Sequence, residues 1–172
     1  MCSTAVQRFE KPQPYYTLTL SPCVERNIAR LGPAAGSCAN VSLDTQMIVG
    51  TGVDITEVPR IQAALDRYGD RFLRRVFTPE EVRYCLSKAN SAERLAARFA
   101  AKEAGMKAIG TGLRHGVTWQ DVEVVRMPGG RPSLRFTGVA AEFAARLGCK
   151  QASLSLTHTK DQAMAFVILE GE

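Results

Sequence analysis

The chain has 172 residues, 45% of them apolar and 23% charged, with a formal net charge of +5. That length suffices for one domain with a real core, and the composition is that of a globular protein rather than a disordered or fibrous one. No apolar run approaches the ~18 residues of a membrane span, and Cys2, Cys23, Cys38, Cys85 and Cys149 are odd in number and form no CxxC pair, which argues against a disulfide framework or a zinc site and for a reducing, cytoplasmic setting.

Residues 1–46 read as an N-terminal extension, weakly ordered or a leader. They hold Pro12, Pro14, Pro22 and Pro33, a small-residue run from Gly32 to Asn40 and three of the five cysteines. Acidic Glu10, Glu25 and Asp44 argue against a transit peptide, and no positive start precedes an apolar core, so no secretory signal is expected. The domain is expected over residues 47–172. Met47 to Ile55 is a near-continuous apolar run, a buried strand. Asp54 near its end is either a cap for the next helix or a functional carboxylate. A helix follows, with Pro59 in its first turn and Ile61, Ala64 and Leu65 facing inward.

Gly69 breaks that helix. Asp70 to Phe77 is a short amphipathic piece. Thr78-Pro79-Glu80-Glu81 has the pattern of a capping box opening a helix to about Lys88. The next helix, from about Ala92 to Ile109, is the centre of the chain. Helical periodicity puts Leu95, Phe99 and Met106 on one apolar stripe, with Glu103 beside Phe99. A carboxylate facing a core needs a partner. Lys107, one turn on, is one answer; a bound cation is the other. Asp121 to Met127 and Arg131 to Phe136 form a hairpin around Pro128-Gly129-Gly130. A helix over Val139 to Leu147 and strands over Gln151 to Thr157 and Ala163 to Leu169 complete an α+β order with an antiparallel sheet and packed helices.

Three groups can carry chemistry. Asp54 and Glu103 come from different elements and together suit a divalent cation such as Mg2+, which takes one or two protein carboxylates and leaves room for phosphate. Gly110-Thr111-Gly112 either ends the helix or lets the backbone approach a phosphate. His158, one of two histidines, sits at a strand end as a base, a phosphate donor or a plain loop residue. Arg60, Arg67, Arg71, Arg74, Arg75 and Arg83 are either an ordinary solvated helix face or a docking surface for an acidic partner. They are read as lacking interleaved aromatics, which argues against a single-stranded nucleic-acid groove.

Three segments, IVGTGVDITEVPRI (residues 48–61), RFAAKEAGMKAIGTG (98–112) and LSLTHT (154–159), resemble the holo-[acyl-carrier-protein] synthases, the small 4'-phosphopantetheinyl transferases. The likeness runs from Met47 to Glu172. It implies transfer of phosphopantetheine from coenzyme A to a serine of apo acyl carrier protein, giving adenosine 3',5'-bisphosphate. It implies that Asp54 and Glu103 hold Mg2+ and that Lys107 stands near the phosphates. By the same likeness Arg98, Lys102, Gly110, Thr111 and Gly112 surround coenzyme A, while His158 and Thr159 reach it from a neighbouring subunit of a homotrimer. Arg60, Arg67, Arg71 and Arg74 match the carrier-protein docking face. Two positions depart from the common pattern, Thr157 before the histidine and Val53 before Asp54. A two-domain transferase acting on peptide synthetases and a non-enzymatic basic binding module are the competing readings.

Overall fold

A computed structural model describes residues 47–171; the extension proposed for residues 1–46 lies outside them. The elements are β1 (Met47–Glu57), α1 (Val58–Tyr68), α2 (Asp70–Val76), α3 (Pro79–Leu86), α4 (Ser91–Ala108), a 3-10 turn (Trp119–Asp121), β2 (Val122–Arg126), β3 (Pro132–Phe136), α5 (Gly138–Arg146), β4 (Cys149–His158) and β5 (Gln162–Gly171). An antiparallel sheet has the order β1-β5-β4, and β2 and β3 form a separate antiparallel hairpin. This is the α+β architecture expected from the element order.

The helix α4 lies at the centre. One side packs on the sheet, where Ala163, Ala165, Val167 and Leu169 of β5 are fully buried. The other side packs under α1 to α3 and the hairpin. The helix is therefore buried nearly all round, from Leu95 to Lys102 without a break. A single stripe of Leu95, Phe99 and Met106 is too narrow a description, because α4 has neighbours on both sides and its alanines let them come close.

The closest approach is to β1. A Cβ on Gly52 would stand 2.0 Å from the Ala104 carbonyl oxygen, and one on Gly50 would stand 2.3 Å from that of Ala108. Only glycine lets the strand touch the helix backbone there. Asp54 lies two residues past Gly52, so the strand period carries it to the same side.

The local signals at the other elements act as expected. Thr78 and Glu81 make a reciprocal capping box at the start of α3. Gly129 and Gly130, both at φ 84°, form the hairpin turn. Pro59 stands in the first turn of α1, whose N-cap residue is Glu57 and not Asp54. The sheet face away from α4 is apolar and open. Val53 and Ile55 of β1 pair with Phe166 and Met164 of β5, and all four are exposed.

Candidate functional site

Two clusters of polar side chains lie on different faces of α4. The first joins α4 to β1. Lys107 Nζ is 2.8 Å from Asp54 Oδ1 and also donates to the Val53 carbonyl at 3.0 Å. Thr56 Oγ1 donates to the other Asp54 oxygen at 3.1 Å. The spacing had offered Glu103 as the i, i+4 partner of Lys107 and Asp54 as a cap. Instead, Lys107 reaches across to the strand, because the Gly50–Gly52 contact brings β1 within range.

Glu103 is left half-buried and without an ion-pair partner among the described residues. Burial raises its pKa above the ordinary carboxylate range, and the Asp54 charge raises it further. Lys107 and Arg60 oppose this. Two adjacent carboxylates, one of them unpaired and disfavoured as an anion, are a pair that a cation relieves. With only two carboxylates, the donor set fits Mg2+, whose other positions go to water or phosphate oxygens. No group of three or more His, Cys, Asp or Glu gathers among the described residues.

The second cluster is built on Tyr84 of α3. The guanidiniums of Arg98, Arg126 and Arg94 stand 4.3, 5.0 and 5.8 Å from its ring centre. Its hydroxyl accepts from Arg126 Nη1 at 2.8 Å and Arg94 Nη1 at 3.4 Å. These arginines and His158 line a cavity of about 200 Å³. None of the three arginines has a carboxylate partner among the described residues, and the Nε atoms of Arg94 and Arg98 are buried without an acceptor. Three converging, unpaired guanidiniums with spare donors make an anion shelf. Beneath it, burial pushes the Cys85 thiol up to about 11 against the pull of Arg98. Cys85 is thus a neutral, inert thiol.

Arg98 and Glu103 are five positions apart, about 140° around the helix. The structure does not bring Arg98 to the carboxylates; it brings it to His158. His158 Nδ1 lies 3.6 Å from Glu93 Oε2. Thr159 closes the β4–β5 turn, its hydroxyl accepting from the amides of Asp161 and Gln162.

Lys102 is corrected from a ligand-binding residue to a core one. It is fully buried, and its three N–H groups go to Glu81 Oε2 at 2.8 Å, the Trp119 carbonyl at 2.9 Å and the Val122 carbonyl. The Gly110 loop is a helix terminator. The amides of Thr111 and Gly112 both donate to the Met106 carbonyl, and that of Gly110 donates to Lys107. With those donors spent, the loop offers a ligand space rather than hydrogen bonds, and a Cβ on either glycine would meet nothing.

Arg60 and Arg67 on α1 and Arg71 and Arg74 on α2 are all exposed. Aromatic residues, discounted in the sequence reading, do stand among them. Arg67 lies over the Tyr68 ring at 5.2 Å, and Tyr68, Arg71, Phe72 and Arg75 line a cavity of about 310 Å³. Sequence reasoning missed Tyr84, Arg94 and Arg126. Arg94 alone carried a signal, its i, i+4 relation to Arg98.

The family model described as the 4'-phosphopantetheinyl transferase superfamily matches residues 50–167. A protein of Koribacter versatilis (strain Ellin345), named holo-[acyl-carrier-protein] synthase, is 64% identical over 124 residues, covering 72% of this chain and 99% of that protein. The crystal structure of holo-[acyl-carrier-protein] synthase from Neisseria meningitidis is 33% identical, with a TM-score of 0.65, over 72% of this chain and 98% of that one. The Bacillus anthracis synthase, solved in complex with CoA (3',5'-ADP), is 36% identical with a TM-score of 0.60, over 73% of this chain and 99% of that one. The carboxylate pair, the basic shelf and these likenesses agree: the chain belongs to the 4'-phosphopantetheinyl transferase superfamily.

Proposed function

We propose that this protein transfers the 4'-phosphopantetheine group of coenzyme A to a serine of apo acyl carrier protein, with adenosine 3',5'-bisphosphate as the other product. The observation that carries this is the unpaired Glu103 beside Asp54 and Lys107, in a chain 64% identical over 124 residues to a protein named as such a synthase. The serine oxygen forms a bond to the phosphorus bearing pantetheine, and the bond from that phosphorus to the leaving bisphosphate breaks. Asp54 and Glu103 would hold Mg2+, which supplies charge neutralisation at the pyrophosphate and at the leaving group. Lys107 presents its ammonium to the same phosphates, already aligned by Asp54 and the Val53 carbonyl. Glu103 is the side chain we assign to accept the serine proton.

Coenzyme A carries a pyrophosphate and a separate 3'-phosphate. The anion shelf of Arg94, Arg98 and Arg126 suits the second. In one chain, α4 stands between the shelf and the carboxylates. The carboxylates lie by β1 and His158 lies on β4, the two outer strands of the sheet. On this reading a coenzyme A that engages both joins the shelf of one copy to the carboxylates of the next. The exposed Val53, Ile55, Met164 and Phe166 face supplies the apolar surface for such an assembly. This supports an assembly with active sites at subunit boundaries, and the resemblance makes that assembly a homotrimer. No described helix is long and apolar enough to cross a membrane, and we assign the protein to the cytoplasm.

The deciding experiment is mass spectrometry of apo acyl carrier protein after incubation with the protein, coenzyme A and Mg2+, beside an EDTA control. A phosphopantetheine-sized gain, lost in EDTA, is expected. Coenzyme A binding without any gain would favour a binding module. A gain from a strictly monomeric protein would favour the two-domain type of site.

The arginines of α1 and α2 dock the carrier protein, their charges facing its acidic surface and the Tyr68–Phe72 cavity taking an apolar side chain. Arg71→Glu is expected to raise KM for carrier protein by about tenfold or more, the scale of one lost interfacial charge pair, with KM for coenzyme A unchanged. The effect shrinks at high salt, where such contacts are screened within about 10 Å. An unchanged carrier-protein KM removes Arg71 from the interface.

A further inference from the structure

The three elements that supply Tyr84, Arg98 and Arg126 meet at one buried ion pair below the shelf. Lys102 sits on α4 one turn beyond Arg98. Its ammonium pairs with Glu81 Oε2 at 2.8 Å and donates to Val122 on β2. Glu81 sits on α3 one turn before Tyr84. Its Oε1 accepts from the Val124 amide on β2 at 2.9 Å, and its Oε2 accepts from the Thr78 amide at 2.9 Å. Arg126 is two residues further along β2. The network continues through Thr78 Oγ1, which donates to Glu123 Oε1 at 2.9 Å, and Arg135, whose Nε donates to Glu123 Oε2 at 3.0 Å.

A fully buried ion pair is a weak source of stability, since desolvating both charges cancels much of their attraction. Its strength is directional. Each partner here has fixed hydrogen bonds to a different element, so the pair sets where α3, α4 and β2 stand relative to one another. The shelf's own contacts are the Tyr84 ring and hydroxyl and two long bonds to nearby carbonyls, from Arg98 to Arg94 at 3.5 Å and from Arg126 to Gly130 at 3.3 Å, none of which ties the three elements together as the ion pair does.

We propose that Lys102 and Glu81 are positioning residues that hold Tyr84, Arg98 and Arg126 in register as the subsite for the 3'-phosphate of coenzyme A. The proposal rests on the phosphopantetheinyl transfer reading, and the substrate preference is where it acts. The pair touches no substrate. It fixes the spacing of the guanidiniums that do.

The test compares the wild type, Arg98→Ala, Lys102→Met and the double variant E81Q/K102M, each checked by thermal melting. The readouts are KM for coenzyme A, KM for carrier protein and the preference for coenzyme A over 3'-dephospho-coenzyme A. Calorimetry compares the binding of adenosine 3',5'-bisphosphate with that of adenosine 5'-monophosphate. Lys102→Met and the double variant are expected to weaken coenzyme A by about 10- to 100-fold, the scale of an ångström-sized misplacement. They are expected to lose most of the 3'-phosphate preference and to leave KM for carrier protein near wild type. Lys102→Met alone leaves Glu81 as an orphan buried charge and melts earlier. The double variant leaves no unpaired charge, though the NH2 of the introduced glutamine then faces an amide of Thr78 or Val124 and the Trp119 and Val122 carbonyls lose their donor, so its melting is read beside its preference. Folded variants that keep the wild-type preference overturn the proposal. So does failure of both to fold, which would make the pair a requirement of the fold alone. Wild type without transfer overturns the functional reading instead, and loss of preference in Arg98→Ala but not in the pair variants overturns only this inference.

Discussion

Glu103→Ala is expected to abolish transfer while the protein keeps its fold. The loss expected in kcat is at least ~100-fold, the lower end for removing a group that handles a proton in the transition state. Glu103 is half-buried, has no ion-pair partner among the described residues and is disfavoured as an anion by burial and by Asp54. Removing it relieves a like-charge contact instead of breaking a bond, so thermal stability should hold or rise slightly. Kinetics and melting of one purified sample decide the matter. A variant that transfers normally removes Glu103 from the chemistry, and one that aggregates shows it to be structural.

Gly52→Ala, a change of one methyl group, is expected to be worse for the fold than the loss of that carboxylate. The new Cβ would sit 2.0 Å from the Ala104 carbonyl oxygen and 2.8 Å from the Ala108 amide nitrogen. Both are helix backbone and cannot rotate aside. Strand and helix must separate, at the cost of about 1–3 kcal/mol or more that overpacking brings. The same movement parts Asp54 from Lys107 and Glu103, since Asp54 is on the strand and the other two are on the helix. Denaturant unfolding should give a lower midpoint, and kcat should fall in the soluble fraction. Wild-type values for both would mean the two elements slide past each other freely.

Most of the fold was legible because its signals are local. The capping box at Thr78 and Glu81, the Pro128-Gly129-Gly130 turn and the alternation in β4 each depend on neighbours a few residues away. The site was legible in part. A carboxylate at an inward helical position identifies Glu103 as needing a partner. The sequence does not say that Lys107 will choose Asp54, because that choice depends on two glycines in β1 setting an interatomic approach. Lys102 shows the limit most clearly. Next to Glu103 in the motif, it looks like another ligand-facing charge. One residue is 100° of helix, and that rotation takes it from the substrate side into the core. Tyr84, Arg94 and Arg126 come from three separate elements, and their convergence is a tertiary fact with no signature in any one stretch.

The placement of the carboxylates and the shelf by the two outer strands, with an open apolar face between them, bears on what counts as one enzyme molecule. On the shared-site reading, a single folded chain carries two half-sites that it cannot combine. Specific activity then depends on concentration, falling on dilution below the assembly constant although every chain remains native. Side chains that never meet the substrate, Val53, Ile55, Met164 and Phe166, would set the working range of the catalyst by setting how tightly its copies cohere.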